Sequence, residues 1–234
     1  MHHTRSLHRA ALLSLACLLV AALTPWTARA GTSTDIMRET ARTLEGGGGR
    51  VASFWWLPQE YWELVAKELG IPAEEQEKVR VVFRDYLLVG ALESKLNVEK
   101  RPDFASIAEL VKGAKFYRNG VEIEVLRDVN PELARLGPSL VYLLRASLAG
   151  IGGGLHLLPL ANVDTRGNPI LSGAAPGELR LEFRFDEAGP MQEVYWRAPI
   201  TAIAGAKKCP KGGEALEASY AYCPWHGVKV DGKR

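Results

Sequence analysis

The chain has 234 residues, with 29 Lys and Arg against 27 Asp and Glu. A balance that close to neutral removes the electrostatic case for nucleic acid or an anionic membrane as a partner. Its length suits one sizeable domain or two small ones, and its three cysteines are too few for a disulfide-dense scaffold.

Residues 1–30 read as a secretory signal peptide. Arg5, His8 and Arg9 precede an apolar run from Ala10 to Leu23, Pro25 breaks it, and Ala28-Arg29-Ala30 offers a cleavage site before Gly31. The expected location is therefore secreted or periplasmic, with no membrane contact after cleavage. Cleavage after Ala30 removes three arginines and no acid, leaving 26 basic and 27 acidic residues. It also removes Cys17, so Cys209 and Cys223 are the two cysteines left.

The mature chain divides into a helix and glycine-rich linker over 31–50, an α+β domain over 51–204 and a small lobe over 205–234. Ile36, Met37, Thr40 and Leu44 recur at helical spacing and predict a helix over 36–45, capped by Thr34 or Asp35. Gly46 to Gly49 then reads as a hinge. Without a following Lys-Ser/Thr it is no phosphate loop. The apolar run Val51–Leu57 meets Pro58, which opens a helix to Leu69, with Gly70 as its stop. Trp55, Trp56 and Trp62 fall at packing positions and read as core anchors rather than a ligand platform. Pro72 opens a second helix; its spacing could run through Lys95, but Val79, Val81, Val82 and Phe83 are β-formers and Gly90 interrupts, so the helix is read to about residue 82, followed by a strand over about 84–95.

Asp103 is expected to cap a helix over 104–111. Asn119-Gly120 marks a hairpin between 114–118 and 121–127, with Val121, Ile123 and Val125 on one face. Asn130 caps a helix that Gly137-Pro138 should break or kink, and Ser139–Leu148 is apolar enough to be central. Strands follow over 155–163, 177–185 and 191–197, with a turn at 164–169. The fold class is α+β, with N-terminal helices, a mainly antiparallel sheet with a packed central helix, and a ribbon-like C-terminal lobe.

Chemistry concentrates in that lobe. Cys209-Pro-Lys-Gly-Gly213 and Cys223-Pro-Trp-His-Gly227 are one pattern written twice. It resembles the paired Cys-Pro-x-Cys-Gly knuckles of zinc-ribbon proteins, over about the last twenty residues. Two ligands three apart on a tight turn can face one ion, with glycine accommodating positive φ just beyond. Gly212 stands where the first knuckle should carry a ligand, and His226 stands where the second should carry cysteine. The resemblance leaves Cys209, Cys223 and His226 as ligands, with Zn2+ as the implied cofactor. A fourth donor must come from elsewhere, such as His156, an acid or water. The preferred reading is a Cys209–Cys223 disulfide without cofactor, which suits an oxidising compartment. It would close a loop of about fifteen residues, worth about 3 kcal/mol. A redox role for Cys223-Pro-Trp-His226 is the third reading.

His156 lies among apolar neighbours and reads as a satisfied core histidine. Serine elbows, His-Glu-x-x-His and dinucleotide fingerprints do not occur in the sequence, so no catalytic residue is assigned. The expected function is a non-enzymatic binding or structural module with a protein or small-molecule ligand. The alternative is a secreted zinc enzyme using Cys209, Cys223 and His226 with His156.

Overall fold

The computed structural model describes residues 31–97, 99 and 101–230. The expected signal peptide over 1–30 lies outside the described residues, as does the last stretch of the expected lobe, 231–234. The architecture is α+β with mainly antiparallel sheets.

Two sheets pack face to face. The first joins β1 (Ala41–Gly46), β2 (Arg50–Leu57) and β3 (Tyr86–Leu96). On the far side of β3, β4 (Pro102–Phe104) pairs with its end and β7 (His156–Ala161) with its beginning. The second sheet runs β6 (Val121–Ile123), β5 (Ala114–Arg118), β8 (Gly177–Phe183) and β9 (Gln192–Ala198). Strand alternation sends Phe54, Trp56, Leu87 and Val89 toward the second sheet, where they meet Phe116, Leu181, Phe183 and Trp196. Phe54 and Phe183 meet edge to face at 5.0 Å.

The opposite face of the first sheet carries Trp55, Leu57, Leu88 and Leu92. Helices cover it: α1 (Ser33–Thr40), α2 (Gln59–Glu68), α3 (Ala73–Arg84) and α5 (Pro131–Ser147). Trp62 stacks on Phe83 there at 5.0 Å. With both faces buried, β2 and β3 need apolar residues at nearly every position, which is why their sequences are continuous apolar runs rather than alternating ones. Trp55, Trp56 and Trp62 are thus core residues, as expected.

Side chains and one backbone bond stitch the seams of the sandwich. At one, Arg42 Nε donates to the Tyr195 carbonyl at 3.0 Å and Gln192 Nε2 to the Glu45 carbonyl at 2.9 Å. At the other, the Leu126 amide donates to Pro159 O at 2.8 Å and Arg118 Nη1 to Ala161 O at 2.6 Å. Strand edges that would otherwise offer unpaired backbone groups are covered in this way.

Several local expectations change. The first helix is capped by Thr32, with Asp35 closing a capping box, and it ends at Thr40. Residues 41–46 pair with β2 instead, so the glycine run is a hairpin turn, with Gly48 and Gly49 at φ 68° and 74°. Asp103 sits in β4; Ser106 caps the next helix, α4 (Ile107–Gly113), with Glu109 reaching back. The Asn119-Gly120 turn forms with positive φ at both residues, but the paired part of β6 is short and Val121 is exposed. Pro138 does not break α5. It lies on the exposed side, as does Ala134, whose carbonyl would otherwise accept the amide that proline lacks. That helix lies over the sheet through Leu133, Leu140 and Leu144, leaving Tyr142 and Leu143 outward rather than central.

After β9 the chain enters the one-turn α6 (Thr201–Ala204), whose first amides are capped by the Glu39 carboxylate at 2.6 and 2.8 Å. Gly205, at φ 81°, leads into the C-terminal lobe. Among the described residues, no helix is long and apolar enough to cross a membrane.

Candidate metal centre

The lobe is built from two turns with the same backbone bonding. In the first, the Cys209 amide donates to Glu214 O at 2.9 Å and the Gly213 amide to Cys209 O at 2.9 Å. In the second, the Cys223 amide donates to Val228 O and the Gly227 amide to Cys223 O, both at 2.8 Å. Gly213 and Gly227 occupy φ 78° and 63°, which a side chain would strain. A two-residue ladder, β10 (Lys207–Lys208) with β11 (Ala215–Leu216), leads into and out of the first turn. The lobe is tied to the body by the Ala218 amide, which donates to Thr201 Oγ1 at 3.1 Å.

The turns bring their side chains together. Cys209 Sγ lies 3.4 Å and Cys223 Sγ 3.5 Å from His226 Nδ1. Glu214 Oε2 lies 3.8 Å from the same nitrogen. One donor atom from each of Cys209, Glu214, Cys223 and His226 falls within 4.8 Å of all the others. Zinc bonds of about 2.3 Å to sulfur and about 2.0–2.2 Å to nitrogen or oxygen give a tetrahedron with S···N edges of about 3.6 Å and N···O edges of about 3.4 Å. The donor set and its spacing fit such an ion.

Glu214 is the residue that sequence reasoning missed. A Cβ placed on Gly212 would fall on the Glu214 carboxylate, 2.1 Å from Oε1. The glycine in the first knuckle's ligand slot leaves the space that an acid two residues further on fills. That pairing of Gly212 with Glu214 was the available signal.

In this structure the cysteines are free thiols, where the preferred expectation is a disulfide between them. His226 Nδ1 contacts both sulfurs, and the Glu214 carboxylate closes the group beside it. Both cysteines are buried, at 3% and 1% exposure, while the His226 and Glu214 side chains keep 26% and 43%. Burial pushes the Cys223 thiol up. Hydrogen bonds from the Cys209 and His226 side chains and from the His226 and Trp225 amides outweigh it and leave the thiol below its ordinary value. The Gly212 amide points at Cys209 Sγ from 3.4 Å in the equivalent place.

His156 does not join this group. Its Nε2 lies 3.3 Å from the Ala105 carbonyl, on β7 in the body. A recess of about 740 Å³ opens at one end of the sandwich, lined in part by Arg50, Glu93, Phe104, Phe185 and Asp186. Its central guanidinium is already engaged: Arg50 lies 2.6 Å from buried Glu93 and 2.7 Å from Asp186, beneath the Phe185 ring. Among the described residues, the group of potential metal ligands is therefore the one in the lobe. Comparison with protein-family models, with curated proteins and with solved structures finds no match to this chain.

Proposed function

We propose that this is an exported, non-enzymatic α+β binding or structural module whose C-terminal lobe is a degenerate zinc ribbon, closed by one zinc ion on Cys209, Glu214, Cys223 and His226. Export rests on the leader-like sequence of residues 1–30. The metal reading rests on a single observation: the Glu214 carboxylate fills the space above Gly212, in the slot where the resemblance lacks a ligand. Four protein donors describe a closed, structural site, whereas a catalytic zinc keeps a position for water. The zinc-enzyme alternative needs that open position, and it needs His156, which is bonded elsewhere. A bound zinc would draw the four side chains together and neutralise the thiolates that the short turns hold side by side.

Elemental analysis of the purified chain is expected to return one zinc per molecule. Glu214→Ala should lower zinc affinity about 10-fold or more, since it removes one of four donors. Gly212→Cys should restore affinity in the Glu214→Ala background by supplying a thiolate from the original slot. A chain that carries no zinc and whose thiols react equally fast with and without added zinc would sink the proposal.

A further inference from the structure

The two sulfurs that face the candidate ion also face each other. Each belongs to a turn whose backbone is closed by its own amide bonds, Cys209 with Gly213 and Glu214, Cys223 with Gly227 and Val228. Those bonds do not involve the sulfurs. Both cysteines are buried in this arrangement, so their sulfurs meet a reagent only when the side chains around them move. The partly exposed groups beside them are His226 and Glu214, so a reagent arriving from solvent meets these two side chains first.

Building on the zinc reading above, we infer that Cys209 and Cys223 form a two-state clamp. In one state both thiolates hold the metal with Glu214 and His226. In the other, a small disulfide oxidant has joined the two sulfurs to each other and the metal has left. The Cys209 thiolate attacks one sulfur of the oxidant, forming a mixed disulfide and expelling one thiolate. The Cys223 thiolate then attacks the Cys209 sulfur, forming the Cys209–Cys223 bond and expelling the second thiolate. Two protein thiolates are oxidised by two electrons, one small disulfide is reduced to two thiolates, and zinc departs as the dication. The separation within the group, under 4.8 Å, brings the sulfurs close enough for a short side-chain movement to join them. Either link ties the same two turns, so the lobe stays closed in both states. What changes is that Glu214 and His226 are released to solvent.

The test uses the full-length chain, purified with zinc bound and without reductant, mixed with oxidised glutathione beside a chromogenic zinc chelator. Zinc should appear in step with the loss of two thiols per chain, and peptide mapping should join residues 209 and 223. Reduction and added zinc should reverse both signals. His226→Ala should lose zinc affinity yet still form the bond, because the bond does not use the imidazole; Glu214→Ala provides the same readout if the histidine variant does not fold. Zinc released with the two cysteines as separate glutathione adducts would overturn the clamp alone, as would zinc retained against excess oxidant or variants that cannot be cross-linked. A reduced chain that never binds zinc would overturn the site itself, and the clamp with it.

Discussion

The body and the lobe hold together by different means. The body buries two apolar clusters, one of nineteen side chains between the sheets and one of twelve under the helices, many of them aromatic or leucine. Among the described residues, the lobe's own cluster buries three, Leu216 and the two cysteines, with Tyr220, Val228 and Val230 half-buried around them, and Ala218 is buried beside it. A fully buried leucine is worth about 1.5–3 kcal/mol, and ordering each residue's backbone costs about 1–2 kcal/mol. Burial alone cannot hold a unit that small, and its own side chains supply the remedy. Small folds that lack a core use a metal or a covalent staple, and the lobe has the donors for either.

Breaking that comparison starts with the metal. Structural zinc contributes on the order of 10–16 kcal/mol in small zinc-dependent units, so its removal is the largest effect expected. A chelator together with a reductant, which also prevents the cysteines from pairing, should unfold the lobe while the body stands. Hydrogen exchange would read this directly. Amides over 207–230 should lose protection, and those of β2 and β3 should keep it. Equal protection of the lobe before and after chelation would show that the lobe needs no metal.

The reciprocal cut is in the core. Trp56 is fully buried between the sheets. Trp56→Ala should lower the stability of the body by about 3–5 kcal/mol in denaturant unfolding, with zinc still binding at one per chain in native buffer. A cost below about 1 kcal/mol would mean that the site relaxes around the loss and that the sandwich is not close-packed there.

The same contrast explains what could be read from the sequence. Turn chemistry was local and therefore legible: Asn119-Gly120 could hardly be anything but a tight hairpin, and Asn130-Pro131 a helix start. The α3-to-β3 change falls within about two residues of its expected place, but the β-formers that suggested it, Val79, Val81, Val82 and Phe83, lie in α3 itself. Residues 41–46 misled for a physical reason. Leu44 continues the helical spacing of Ile36 and Thr40, and only pairing with β2 across the glycine turn makes the segment a strand. Pairing is a tertiary fact that propensity does not carry. Asp103 misled similarly: it is a good cap by type, but its segment pairs with the end of β3. In the lobe, the doubled turn and three of the four donors stood in plain view. Glu214 did not, because it lies outside the knuckle spacing and reaches the site only by folding back over Gly212.

The smallest effect refines the comparison inside the body, where single polar contacts act on top of a large core. Asn130 does two things at the head of α5. Its Oδ1 accepts the Leu133 amide at 2.7 Å, and its own amide donates to the Tyr86 hydroxyl of β3 at 2.8 Å. Only the first belongs to the side chain. Asn130→Ala should therefore cost about 1 kcal/mol, the usual loss of a helix cap, and Asn130→Ser or Asn130→Asp should recover most of it. Tyr86→Phe removes the second bond instead and leaves the cap intact. If the two contacts act independently, the double variant should cost the sum of the singles to within about 0.5 kcal/mol. A larger discrepancy would mean that the cap and the strand-to-helix bond position each other, so that the start of α5 is fixed by the sheet rather than by its own N-terminus. In neither case should zinc affinity change, because α5 and the lobe share no hydrogen bond among the described residues.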